Sequence, residues 1–214
     1  MAFNISEFSA ELNKHGTARA EHFEMSFSGE ILQKLAPYYN GLSGVEREIS
    51  DVLRGLTFRV EATTLPQRAI SPLQYQDYGT PYKIGGLANY VEIDSTIILS
   101  TDMAERHFFM SWQDLITGKH RTRGNNVIGR GDEFDIGYFD DYKCDSIKIK
   151  HFAYTKGANK EPRQVYECTL HDAFPLNVGP VTVSWASTEI LKQNVTFTYR
   201  FFTEREVPDW ALAG

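Results

Sequence analysis

A chain of 214 residues that is 42% hydrophobic is long enough to bury one core and too apolar for wholesale disorder. Its net charge of -6 argues against a dedicated nucleic-acid binder, whose affinity comes from dense Lys and Arg. An acidic surface is still compatible with nucleic acid passing close by without being held.

The opening residues, MAFNISEFSAELNKHG, carry Glu7, Glu11 and Lys14 where a secretion signal needs an apolar run. No apolar window approaches membrane-spanning length, so no membrane anchor is expected and the sequons at Asn4 and Asn194 read as chance matches. Cys144 and Cys168 lack a C-x-x-C spacing. Two reduced thiols in a cytosolic setting are the default expectation, with a single disulfide as the alternative.

Along the chain, period-2 patterns dominate. HFEMSFS (22–28) puts Phe23, Met25 and Phe27 on one face of a strand. EILQKLAPYY (30–39) predicts a helix weakened late by Pro37. A second helix is expected over 44–54, with Ser43 and Glu46 as a capping box, a stripe of Val45, Ile49, Val52 and Leu53, and Gly55 as the stop. LTFRVEATTLP (56–66) alternates Phe58, Val60 and Ala62 as a strand that Pro66 ends. Residues 66–81 hold three prolines and no periodicity, which predicts a loop. Strands follow over 82–94 and 95–101.

The most regular helix is expected over 103–117. Asp102 caps it, Glu105 sits three residues on, and Phe108, Trp112, Leu115 and Ile116 form one buried face before Gly118. The Gly- and Asp-rich stretch 118–145 reads as a second long loop. Strands over 146–154, 163–172, 181–185 and 194–204 complete the set, and in the last Val195, Phe197, Tyr199 and Phe201 share a face. LHDAFPLNVGPVTVSW (170–185) reads as a rigid corner: Pro175 and Pro180 restrict the backbone, Gly179 permits a tight turn, and Phe174 and Trp185 flank it.

Catalytic signals are missing. Asp132, Glu133, Asp135, Asp140 and Asp141 lack the register of a calcium loop and read as solvated acids. The Arg130-Gly131-Asp132 tripeptide is too short to support adhesion, and no helix start follows Gly129 and Gly131 to cradle a phosphate. None of the six histidines has metal-site spacing, and no nucleophile accompanies the His171-Asp172 pair, which reads as turn hydrogen bonding. His107 is expected at a core boundary, and Trp112 and Trp185 as core anchors. No catalytic residue, metal ligand or cofactor is expected, and the chain is read as a non-enzyme.

The order of segments resembles the tail tube proteins of contractile-tailed bacteriophages, which are similar in turn to type VI secretion tube proteins. The carrying pieces are GTARAEHFEMSF (16–27), FRVEATTLP (58–66), YKIGGLANY (82–90), STIILSTDMAERHFFMSWQDLITG (95–118), YECTLHDAFPLNVGPVTVSW (166–185) and LKQNVTFTYRFF (191–202). The resemblance implies one tail-tube domain over 1–214, with insertions at 29–55 and 119–145. It implies a mainly β fold, a sandwich or half-barrel with one packed helix, in six-copy rings stacked as a tube. Implied partners are further copies of the chain, a sheath protein, a tape-measure protein, a baseplate and a tail terminator, with DNA passing through the lumen without specific binding. The implied location is the virion tail, reached after assembly in the host cytoplasm. The loop at 66–81 maps onto an inter-ring contact carried by Gln67, Arg68, Tyr75, Gln76 and Tyr78. The corner Phe174, Pro175, Gly179, Pro180 and Trp185 is expected at a subunit boundary, with an ordinary strand connection as the alternative. Two rival readings share some features: an injection-device tube carrying protein effectors, and a monomeric carbohydrate-binding β-sandwich.

Overall fold

One strand of 17 residues organises the molecule. In the computed structural model, which describes residues 21–39, 47–117, 122–123, 126–127, 136–154, 162–186 and 188–206, strand β9 spans Pro162–Val178. The other elements are β1 (Phe23–Phe27), α1 (Glu30–Tyr39), α2 (Ile49–Arg59), β2 (Val60–Thr63), β3 (Gln67–Tyr75), β4 (Tyr82–Val91) and β5 (Ile93–Ile98). They continue with α3 (Ala104–Ile116), β6 (Thr122–Arg123), β7 (Asn126–Val127), α4 (Phe139–Tyr142), β8 (Cys144–Tyr154), β10 (Lys192–Thr198) and β11 (Phe201–Glu206).

An open antiparallel sheet runs in the order β1-β8-β9-β10-β5-β2, with β11 also on β9. The first part of β9 pairs with β11 through Tyr166–His171, and the last part pairs with β10 through Phe174–Val178. Between them Asp172 takes a left-handed φ of 54°, a conformation that Asp tolerates better than most residues. Its carboxylate meets Lys143 at 3.2 Å and Arg200 at 3.6 Å, while Arg200 N–H donates to His171 O at 3.0 Å. The sheet turns there into two halves. Among the described residues, β1, β2 and β11 each have a strand on one side only.

Both halves feed one core. Met25, Ile147, Ile149, Cys168 and Leu170 come from the first half, and Ile93, Ile97, Val195 and Phe197 from the second. Helix α3 fills the space between with Phe108, Phe109, Trp112 and Leu115, all buried. Phe27, Phe109 and Phe197 meet at centroid distances of 5.9–6.3 Å, tying β1, α3 and β10 together. Trp112 Nε1–H donates to Tyr142 O at 2.7 Å, so its polar edge is satisfied as its ring is buried. The fold is mainly β with an open sheet and a packed helix, as the sequence predicts.

Several local expectations are overturned. The second helix runs over Ile49–Arg59 rather than 44–54: Gly55 has nothing within 4 Å of a built Cβ, and buried Leu56 carries the helix past it. Phe58 therefore lies on a helix and is 82% exposed, instead of facing the core from a strand. The proposed capping box at Ser43 and Glu46 lies outside the described residues. Helix α3 starts after Met103, at φ 55°, so the cap position is one residue later than expected, although Asp102 Oδ1 still accepts from Ala104 N–H at 3.5 Å. Glu105 instead reaches back, accepting from Ser100 N–H at 2.8 Å and Ser100 Oγ–H at 2.5 Å. The last predicted strand is two: β10 and β11 are separated at Tyr199 and Arg200, the inward face shifts by one residue, and Phe202 rather than Phe201 is buried. Val181–Trp185 form no strand.

Candidate assembly surfaces

The stretch 66–81, expected to be a loop, is one strand and the turn of a long β-hairpin. Among the described residues β3 and β4 pair only with each other, from Gln67 opposite Val91 to Tyr75 opposite Tyr82. Three prolines hid this strand, yet they suit it. Both strands of a two-stranded arm are edges, and Pro72 sits beside a bulge where Ser71 faces Gly86 and Leu87. Gly86 is required there, because a Cβ on it would lie 2.4 Å from Ser71 O. The turn is closed by Gly79, at φ 90°, whose carbonyl accepts from Gln76 Nε2–H at 2.9 Å.

No residue of the arm is buried. Ile70, Leu73, Tyr75, Tyr78, Tyr82 and Leu87 are all exposed, Tyr78 at 99%. A two-stranded hairpin is marginal in water by itself. An apolar one with nothing packed on either face is a surface that lacks its partner. Its root, by contrast, is fixed. Tyr199 Oη–H donates to Val91 O at 2.8 Å, Tyr90 packs edge-on to Phe202 at 5.8 Å, and the Arg68 guanidinium lies 5.3 Å from the Phe202 ring. Of the residues expected in the inter-ring contact, Arg68 anchors the arm and Tyr75 packs on Tyr82 at 5.4 Å. Gln76 closes the turn, Tyr78 projects from it, and Gln67 begins the ladder.

The expected corner splits in two. Phe174 and Pro175 belong to β9, with Phe174 packed against Tyr142 and Phe139 at 5.1 and 6.2 Å. Gly179 ends the strand: its N–H donates to Asn194 O at 2.8 Å, and its carbonyl accepts from Gln193 Nε2–H at 2.6 Å. The Arg106 guanidinium donates to Gln193 Oε1, holding that fully buried amide in place. Beyond Gly179 the chain leaves the sheet. Pro180, Val183, Trp185 and Ile190 are exposed, Trp185 completely, so Trp185 is not the core anchor its sequence context suggests.

The titratable groups are arranged for structure. His171 Nε2 meets Thr203 Oγ1 at 2.9 Å and its ring stacks on Phe201, while Asp172 turns to Lys143 and Arg200, so the two do not form a base–orienter pair. Asp140 and Asp172 hold the Lys143 ammonium above its ordinary range. Cys144 faces Ala173 and Cys168 faces Ile149, so about five residues of strand, roughly 17 Å, separate the two thiols. Both cysteines are free, and burial pushes each thiol up to about 11. Among the described residues no cluster of His, Cys, Asp or Glu forms a metal site, and no helix is long and apolar enough to cross a membrane. Asp132, Glu133 and Asp135 lie outside the described residues.

An open sheet with bare edges, a root-anchored apolar arm and a second apolar projection describe a building block. The chain shares its fold with components of contractile injection machines. It is similar to a chain of the PVC sheath-tube complex of an extracellular contractile injection system in its extended state, at TM-score 0.54 and 13% identity, covering 93% of this chain and 98% of that one. It is similar to a chain of the six-fold symmetrised anti-feeding prophage baseplate at TM-score 0.52 and 10% identity, covering 89% and 96%. The anti-feeding prophage tube-terminating cap aligns at TM-score 0.50 and 11% identity, covering 89% and 92%. No curated protein matches in sequence. The family described as phage tail tube protein matches residues 18–205, and the chain therefore belongs to that family of structural tail proteins.

Proposed function

We propose that this chain, as one tail-tube domain with insertions at 29–55 and 119–145, assembles into six-copy rings. The rings stack as the inner tube of a contractile tail. The carrying observation is the β3–β4 arm, which exposes Leu73, Tyr78, Tyr82 and Leu87 and is fixed only at its root. Among the described residues a solitary chain leaves that surface and three strand edges without a pairing strand, whereas further copies pair the edges and cover the arm. Exposed Tyr78 and Trp185 are also what a carbohydrate platform needs, but membership of the tail tube family favours the reading in which they serve assembly.

The action is passive and involves no catalysis. The tube encloses a tape-measure protein, is bounded by a baseplate and a terminator, and guides DNA when an outer sheath shortens. In β2, β5 and β10 the lone cation is Lys192, neutralised by Glu61 at 2.6 Å. Asp94, Thr96, Asn194 and Thr196 bond to one another across that surface. A face of this composition has no means of holding polyphosphate. The working location is the virion tail, with assembly in the host cytoplasm. Size-exclusion chromatography and negative-stain microscopy of concentrated protein, alone and with its baseplate complex, test the reading. Rings and tubes are expected, and a persistent monomer in both samples rules it out.

A further inference from the structure

The sheet has two ends, and each carries one apolar projection. β2 leaves at Thr63 and β5 enters at Ile93, so the β3–β4 arm springs from the end where Thr63 lies beside Ser95. The segment 179–191 joins β9 to β10 at the other end, where Lys192 lies opposite Ile98. The six residues of β5, about 20 Å of strand, separate the two. The arm is nine residues long in β3, about 30 Å, longer than the β5 strand at whose end it springs. Among the described residues no arm residue is buried, and Val183, Trp185 and Ile190 are 73%, 108% and 66% exposed.

We propose that the Val183–Ile190 segment, with Trp185 at its centre, receives the β3–β4 arm of the next copy along the tube. This rests on the tube reading and specifies its axial contact. Apolar surfaces at opposite ends of one brick meet when identical bricks stack in the same sense, and that head-to-tail contact never closes on itself. The occupant is a second copy because the chemistry matches on both sides. Trp185 offers a large rigid ring with one N–H donor, and the arm offers Tyr and Leu side chains with unpaired outer carbonyls. Among residues 180–190 the single charge is Glu189, four residues from Trp185, and the rest of the segment is uncharged toward an apolar arm. Gly179 and Gln193 hold its base to the sheet.

Trp185→Ala tests this without touching the core, because the side chain is fully exposed among the described residues. The expected result is that six-copy rings persist while sedimentable tube falls by roughly tenfold or more, with Trp185→Phe in between. A photoreactive benzoylphenylalanine at position 185, in tubes assembled from mixed heavy- and light-isotope chains, is expected to cross-link to residues 67–91 of another copy. Tubes of undiminished yield from Trp185→Ala overturn the assignment, as do cross-links confined to other segments. Loss of the rings themselves overturns it too, since Trp185 then serves within a ring. A wild-type chain that forms rings and tubes while these tests fail leaves the tube reading standing and removes only this contact. A wild-type chain that stays monomeric with its baseplate removes both.

Discussion

Two neighbouring glycines in the arm make opposite demands. A Cβ on Gly86 would sit 2.4 Å from Ser71 O, closer than real Cβ contacts come, whereas a Cβ on Gly85 would sit 3.9 Å from Ile70 Cγ2, an ordinary contact. Gly86→Ala must therefore open the bulge at Ser71, and overpacking of this kind costs on the order of 1–3 kcal/mol. That exceeds what a marginal two-stranded arm holds in reserve. Because no arm residue is buried, the body should not register the loss. Gly86→Ala is expected to leave the thermal midpoint within about 2 °C of wild type, to speed amide exchange throughout 67–91, and to abolish tubes. Gly85→Ala should behave as wild type in all three measurements. If the two variants assemble alike, or if Gly86→Ala lowers the midpoint of the whole domain, the arm is not the independent contact element argued for.

Elsewhere, Phe109→Ala removes the ring joining Phe27, Phe108 and Phe197 and should cost about 3–5 kcal/mol in denaturant unfolding. Asp172→Ala puts a Cβ residue without polar compensation at φ 54° and breaks contacts to Lys143 and Arg200, for about 1–3 kcal/mol; Asp172→Asn, which keeps the left-handed tolerance, should lose clearly less in the same assay. Burial raises the Cys144 thiol from 9.0 to about 11, so its contribution is present below pH 9 and is lost as pH climbs through 11. Between those values wild type should destabilise more steeply than Cys144→Ala, and native protein at pH 7 should resist thiol labelling until unfolded.

What the sequence conveyed well were elements whose burial faces their own chain. The Phe108, Trp112 and Leu115 stripe is on α3 and buried, and Met25, Val195 and Phe197 point inward as their period-2 spacing requires. The failures concentrate where a surface faces outward. β3 shows no alternation because beyond its root at Arg68 neither of its faces is buried, and its prolines, read as loop markers, are tolerated by edge strands. VTVSW has the alternation of a strand but pairs with none among the described residues, and its Trp185 is exposed. The slip from Phe201 to Phe202 comes from the chain crossing between sheet halves at Arg200, which periodicity within one strand cannot foresee. Of the expected contact residues, Tyr78 and Trp185 project outward, while Phe174, Pro175 and Gly179 serve the fold.

The 17-residue strand has a mechanical consequence. It is laced on one flank to β8 from Pro162 to Ala173, and on the other to β11 and then β10. A load directed along either half of that strand strains the rungs of that half together, in shear, rather than peeling them apart one by one. A unit built around such a spine transmits a sudden push lengthwise with little give, while a sideways pull meets only the short outer strands.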